Sequence, residues 1–175
     1  VLFRSAAGSI LVAPYNATER RFSTAPYCVG VPRPGQSPLI LDFATSVVAE
    51  GKVLVASKGG KKIPDHALIG PDGGMSGDPH LLYGDYDPNG GRDYKSGPGA
   101  IRAFGDHKGS GLAFMCEVLG GALTGTGAAT PGRRFANGML SFYVDPKIVD
   151  PANFLTPDLT RFVDWVKTAK PVPGD

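Results

Sequence analysis

Apolar residues fall along the chain in short runs set off by Gly, Pro or Ser, and at helical spacing in three places. The runs Gly8–Pro14 (G-S-I-L-V-A-P), Tyr27–Val31 and Leu39–Phe43 are brief and bounded by turn formers, which predicts short buried strands. Gly138–Asp145 predicts another, closed by Pro146, which has no N–H to give a ladder. Three helices follow from the 3.6-residue pattern. Thr45 or Ser46 caps the first, which carries Val47, Val48, Leu54 and Val55 and stops at Gly59-Gly60 with Lys58 at its negative end. Lys108-Gly109-Ser110 opens the second, with Leu112, Met115, Cys116 and Leu119 on one face and an end between Gly120 and Gly125. Glu117 interrupts that otherwise apolar surface. In the third, Thr156 caps, Pro157 takes the first helical position and Asp158 supports the dipole, ahead of a stripe of Leu159, Phe162, Val163 and Val166. Strands alternating with helices predict an α/β domain, a mixed β-sheet flanked by helices.

Composition sharpens this picture. The 175 residues include 25 Gly and 16 Pro, an excess that would suggest disorder if apolar residues did not supply 42%. One core and one domain fit that length. The segment Gly59–Gly109 holds 18 of the Gly and Pro residues, so the middle of the chain is expected to be loop-rich. No apolar run is long enough for a transmembrane helix, and Gly has no three-residue period. The net charge of +2 carries no electrostatic footprint for nucleic acid, so neither a nucleic-acid nor a membrane partner is expected. Cys28 and Cys116 both sit in apolar runs and read as buried free thiols of a reducing, cytoplasmic compartment. Asn16-Ala17-Thr18 matches a glycosylation sequon and is read as chance.

The first five residues, Val1-Leu2-Phe3-Arg4-Ser5, read as a translated sequencing-library adaptor and are set aside from fold reasoning. Lys170-Pro171-Val172-Pro173-Gly174-Asp175 stops in a Pro/Gly loop, so the chain reads as an interior piece of a longer protein.

Standard catalytic fingerprints are absent. Gly109-Ser110-Gly111 starts a G-x-G-x-x-G pattern that fails at Phe114, and Gly125-Thr126-Gly127 fails at Thr130. No G-x-x-x-x-G-K-[ST] occurs, and Ser110 is not in G-x-S-x-G. His66, His80 and His107 lack metal-ligand spacing, so no metal site is expected. Two segments remain. Leu39-Ile40-Leu41-Asp42-Phe43-Ala44-Thr45-Ser46 is a strand ending in a carboxylate and two hydroxyls, placed where α/β sheets bind ligands; the same residues also suit a turn and a cap. Phe104-Gly105-Asp106-His107-Lys108-Gly109-Ser110-Gly111-Leu112 offers a helix start, a cation and an imidazole to a phosphate, or is a solvated glycine-rich loop.

These segments, together with R-R-F-S-T-A-P and the run from Gly105 to Gly125, resemble the malate/L-lactate dehydrogenase family, a non-Rossmann group of oxidoreductases. The resemblance spans roughly Ile10 to Gly174. It implies a non-Rossmann NAD(P)-binding domain over residues 6–175, lacking an N-terminal catalytic region and a C-terminal tail. The implied reaction is hydride transfer between a 2-hydroxy acid and a 2-oxo acid with NAD or NADP, in a homodimer. The family's cofactor contacts map onto Thr24 and Pro26, onto Asp42, Ala44, Thr45 and Ser46, and onto His107, Lys108 and Gly109. Asp42 is the implied catalytic residue, a buried carboxylate orienting the proton donor. The catalytic His, with Ser and Arg, is expected upstream, and this chain alone is expected to be inactive. Two departures stand out. Thr24-Ala25-Pro26 replaces the family's Thr-Asn-Pro, and the segment from Tyr83 to Gly99 looks long. Lys58, Lys61, Lys62, Arg133 and Arg134 are either surface charges or a means of selecting NADP. The reading from a different class is a non-catalytic ligand-binding or oligomerisation module that keeps the fold.

Overall fold

The computed structural model describes residues 1–85, 87 and 93–173. It divides into two compact units, one of Val1–Val29 with Leu41–Ser141 and one of Gly30–Ile40 with Phe142–Asp175. Strands β1 (Leu2–Ala7), β3 (Tyr27–Val31), β4 (Leu39–Phe43) and β8 (Ala136–Ser141) form a sheet in the order β4-β3-β1-β8. A second sheet runs β2-β7-β5-β6, from β2 (Val12–Ala13), β5 (Leu68–Ile69), β6 (Met75–Ser76) and β7 (Ala100–Arg102). Here β2 is parallel to β7 while β5 is antiparallel to both β7 and β6, so the pairing is mixed. The α/β class is as the sequence predicts, divided over two sheets rather than one.

Residues 2–5, set aside from fold reasoning, fall within β1. β1 is antiparallel to β3 (Leu2↔Cys28) and to β8 over six positions, from Leu2↔Ser141 to Ala7↔Ala136. Its Ser5 is fully buried. The predicted strand over Gly8–Pro14 shrinks to Val12–Ala13, because the backbone of Leu11 and Val12 turns to bond Phe22. β3 and β4 appear at their predicted bounds but are not buried. β4 lies at a sheet edge, and Ile40 and Leu41 are 66% and 55% exposed. Cys28, on β3, is half-buried, and both cysteines are free.

The middle of the chain is more than loop. Residues 59–109 contribute β5, β6, β7 and α2 (His80–Tyr83), and they supply Ile63, Ala67, Leu68, Leu82, Tyr83 and Ile101 to the main core. Leu11, Val12, Val48 and Val53, with Ala103, complete that cluster. Arg20 ties the connection down. Its guanidinium donates to the carbonyls of Gly99 (2.6 Å), Gly97 (2.7 Å), Leu82 (3.2 Å) and Tyr94. Burial lowers the Arg20 pKa from its ordinary value, an effect opposed by the nearby Asp93 carboxylate. The Tyr83–Gly99 segment, expected to be long, falls partly outside the described residues.

Helix α1 (Glu50–Ser57) starts later than Thr45 or Ser46 would allow. Ser46 instead pairs with Ala103 as an antiparallel bridge, Val47 N–H donates to Arg102 O (2.8 Å) and Phe104 N–H donates to Thr45 O (3.0 Å). Sheet-like bonding of 45–47 consumes the groups a cap would use. The helix ends as predicted, with Gly59 at φ +77° and Gly60 N–H returning to Val55 O (2.9 Å). Helix α3 (His107–Cys116) continues as a π-helical turn, Glu117–Ala122. The turn lies where backbones crowd: a Cβ on Gly138 would be 1.9 Å from Gly120 O, and one on Gly120 would be 2.9 Å from Arg4 Cα.

In the second unit, α4 (Pro146–Val149) is capped by Asp145, whose carboxylate accepts from Lys147 N–H (2.9 Å). Helix α5 (Leu155–Lys167) starts before the predicted Thr156 cap, because Asp150 accepts from Phe154 N–H (3.0 Å) and Leu155 N–H (2.7 Å). Its predicted apolar stripe is present, yet none of its residues is buried.

Candidate functional site

Three chain segments singled out by sequence meet in the first unit. The turn at Thr24-Ala25-Pro26 follows Phe22-Ser23 and places Ala25 at φ +34°, a conformation that suits Asn or Gly better than Ala. Its carbonyls are engaged from two directions. Thr45 N–H donates to Thr24 O (2.9 Å), the Thr45 hydroxyl reaches Ala25 O (2.9 Å) and Thr24 O (3.1 Å), and Arg4 N–H takes Pro26 O (3.0 Å). Thr45 is fully buried and Ser46 nearly so, its hydroxyl donating to Val48 O (2.8 Å). These two hydroxyls therefore serve the frame, while Thr24, Pro26 and Ala44 are half-buried around it.

The frame extends to the helix start. Phe43 sets its ring edge-on to Phe104 at 5.3 Å and also meets Tyr27 at 5.7 Å. Beyond Phe104 the chain passes Gly105 (φ +54°) and Asp106 (φ +53°, ψ −119°) into α3. Gly109 is buried, and a Cβ there would stand 1.9 Å from Phe104 O. Close backbone packing therefore explains that glycine. His107 and Lys108 are exposed at the start of the helix, and Gly105 and Gly111 have open space where a side chain would be. Asp42 is exposed on edge strand β4, not buried as expected.

A cavity of about 540 Å3 opens beside this helix start. Its walls include Ala13–Thr18, Ile69, Gly73, Met75, and Arg102, Ala103 and Asp106 at the end of β7. Arg102 donates to Asp106 Oδ1 (2.7 Å) and His66 O (2.9 Å). Tyr15 ties the opposite wall to α3: its N–H donates to the Ser110 hydroxyl (3.0 Å) and its ring meets His107 edge-on at 5.8 Å. Of the residues expected to form the site, none lines this cavity among the described residues. It instead borders their immediate neighbours, Ala103 and Asp106. The other histidines stand elsewhere, with His80 paired to exposed Asp78 (2.7 Å) and His66 contributing a carbonyl. The Asp78 carboxyl is held below its usual range by hydrogen bonds from the His80 backbone and ring. Among the described residues no three His, Cys, Asp or Glu side chains gather to hold a metal ion. No helix of the described residues is long and apolar enough to cross a membrane.

Sequence reasoning passed over Glu117. Its buried carboxylate accepts from Ser23 N–H (2.8 Å) and the Ser23 hydroxyl (2.5 Å) at Oε1. At Oε2 it accepts from the Ser5 hydroxyl (2.5 Å) and Ala129 N–H (2.9 Å). Its one sequence signal was a charge on an apolar helix surface, which requires partners.

Comparison with known proteins agrees with this architecture. A family profile described as malate/L-lactate dehydrogenase matches residues 1–175. Hydroxycarboxylate dehydrogenase B of Escherichia coli (strain K12) is 34% identical over 190 residues, covering 99% of this chain and 48% of its own length. Delta(1)-pyrroline-2-carboxylate reductase 1 of Burkholderia ambifaria is 37% identical over 151 residues, covering 85% of this chain and 40% of its own length. The chain thus spans about half the length of the curated relatives it matches. A solved Escherichia coli structure assigned to the malate/lactate dehydrogenases superposes with a TM-score of 0.82 at 32% identity, over 99% of this chain and 47% of that one. With the family profile matched along residues 1–175 and the fold shared with a solved relative, the chain belongs to the malate/L-lactate dehydrogenase family.

Proposed function

We propose that this chain is the cofactor-binding part of an NAD(P)-dependent oxidoreductase that interconverts a 2-hydroxy acid and a 2-oxo acid. One observation carries the reading: the Thr24–Pro26 turn, the Thr45–Ser46 strand end and the Phe104–Gly109 helix start are bonded into a single frame beside a cavity. That frame belongs to a chain whose relatives are named as dehydrogenases and reductases of small carboxylic acids.

The residues present suit a dinucleotide. Lys108 brings a full positive charge beside the helix start, and the open positions at Gly105 and Gly111 let backbone approach a phosphate or ribose. His107, held against Tyr15, presents an aromatic edge. Thr24 and Pro26 form the second contact, and Ala44 with the strand-end backbone the third. The nicotinamide, when bound, supplies or accepts the hydride; the role of this chain is to bind and orient it. In this reading Asp42, exposed on β4, orients a proton donor contributed by the part of the enzyme outside this chain. We place that donor, a His with its Ser and Arg companions, in the half of the relatives' length that this chain does not span. The chain alone is then inactive, and the working enzyme is a cytoplasmic homodimer. The two free cysteines accord with that compartment.

The test is the full-length protein, assayed for NADH and NADPH oxidation with a panel of 2-oxo acids and with Δ1-pyrroline-2-carboxylate. Turnover of a 2-oxo acid is the expected result. A folded protein that binds neither cofactor and reduces nothing is a non-catalytic module, and the reading fails. Lys108→Ala in the same protein raises the cofactor KM about tenfold, equivalent to about 1.4 kcal/mol.

A further inference from the structure

We infer that Ser23, held by the buried carboxylate of Glu117, is a positioning residue for the Thr24-Ala25-Pro26 turn and hence for cofactor affinity. The inference rests on the reading of that turn as a cofactor contact.

The turn has a conformational problem. Ala25 sits at φ +34°, where an L side chain is disfavoured, so something must hold it. On one side Thr45 bonds the carbonyls of Thr24 and Ala25. On the other, Ala25 N–H donates to the Ser23 hydroxyl oxygen (3.1 Å), and that hydroxyl donates its own proton to Glu117 Oε1 (2.5 Å). The carboxylate thereby fixes which way the Ser23 hydroxyl points, leaving its lone pair for Ala25. Glu117 is itself fixed from β1 by Ser5 and from the following loop by Ala129. Cys116, its neighbour on the helix, brings its thiol to 3.7 Å from Pro26 O, so the same helical turn touches both ends of the motif.

The carboxylate is chemically required. Each of its oxygens accepts from one backbone N–H, Ser23 at Oε1 and Ala129 at Oε2. A glutamine amide would set its NH2 against one of those N–H groups in either orientation, because a backbone donor cannot reverse. Glu117 therefore joins a scaffold contact, through Ser5, to a site contact, through Ser23, and the two can be separated.

The experiment compares Ser23→Ala with Ser5→Ala in the full-length protein. Each removes one buried hydroxyl from the same carboxylate, but only Ser23 is bonded to the turn. Fluorescence titration with NADH and NADPH is expected to show affinity falling about 3- to 10-fold for Ser23→Ala, the equivalent of one net hydrogen bond. Ser5→Ala is expected to change it less than twofold while losing comparable thermal stability. Steady-state kinetics then show a raised cofactor KM with kcat nearly unchanged for Ser23→Ala alone. Hydrogen exchange on the wild type adds a check that needs no variant: the Ala25 amide is expected to be protected alongside those of Ser23 and Ala129. Equal affinity losses in the two variants, no loss in Ser23→Ala, or a rapidly exchanging Ala25 amide overturns this inference alone. Failure of the wild type to bind either cofactor overturns it together with the functional reading.

Discussion

At the scale of single residues, three of the four non-glycine residues described with positive φ lie around the candidate site, the fourth being Asn153 ahead of α5. Ala25, Asn16 and Asp106 all have positive φ without being glycine, and Asn16 and Asp106 line the same cavity. Asp106 is the clearest case, since φ +53° with ψ −119° is glycine territory and its strain is worth roughly 1–3 kcal/mol. Its partly exposed ion pair with Arg102 returns at most about 1 kcal/mol. Asp106→Gly is therefore expected to raise stability by about 1 kcal/mol in urea denaturation. A less stable variant would show that the ion pair outweighs the strain. Sequence made the Gly105–Gly109 motif visible but could not reveal which member was strained, because that depends on the backbone path from β7 into α3.

The elements show the same division between local signal and tertiary context. Helix α3 begins within one residue of its predicted start, because glycines and a sharp turn precede an apolar period. Its glycines differ in a way that the sequence conceals. A methyl on Gly109 would meet Phe104 O at 1.9 Å, whereas Gly111 has nothing within 4 Å. Gly109→Ala is expected to cost about 1–3 kcal/mol through overpacking. Gly111→Ala is expected to stabilise by about 0.5–1 kcal/mol through backbone entropy and helix propensity. Parallel thermal melts check both signs, and a shift in the same direction for the two would refute the distinction. Helix α1 shows the limit of capping signals. Thr45 and Ser46 are good caps by type, but strand-like bonds to Arg102 and Phe104 claimed their backbone.

For the molecule as a whole, the buried titratable groups set how it responds to alkali. Burial pushes the Cys116 thiol up to about 11, and burial, followed by the nearby Tyr94, pushes the Tyr83 phenol up to about 12. Tyr83 also donates its hydroxyl proton to Glu50, which favours the neutral phenol further. Both groups bind protons more tightly when folded than when unfolded. Their contribution is thus complete below the unfolded values, 9.0 for the thiol and 10.0 for the phenol, and is lost as pH climbs through the folded ones. Urea denaturation across pH 8 to 11.5 is expected to show a plateau ending near pH 9 and a progressive decline above it. Cys116→Ala is expected to flatten the stretch between 9 and 11. An unchanged slope there would place the loss on other groups.

The α/β class, the bounds of β3 and β4, the C-terminal end of α1 and the segments at Asp42–Ser46 and Phe104–Gly109 were legible from order and spacing alone. Each depends on local chemistry: where glycine permits a turn, where proline ends a ladder and where an apolar period runs. The Thr24–Pro26 turn stood out only through the family resemblance. Tertiary structure decided which apolar runs were buried, leaving β4 exposed at a sheet edge and drawing Leu68, Leu82 and Ile101 from a Gly- and Pro-rich stretch into the core. It also decided that the hydroxyls of Thr45 and Ser46 serve the frame, and that Glu117, a charge out of place on a helix, anchors Ser23 beneath the Ala25 turn. Burial and hydrogen-bond partnership are long-range properties: Ser5 and Glu117, for one, bond across 112 positions. No window of sequence contains both halves of such a contact.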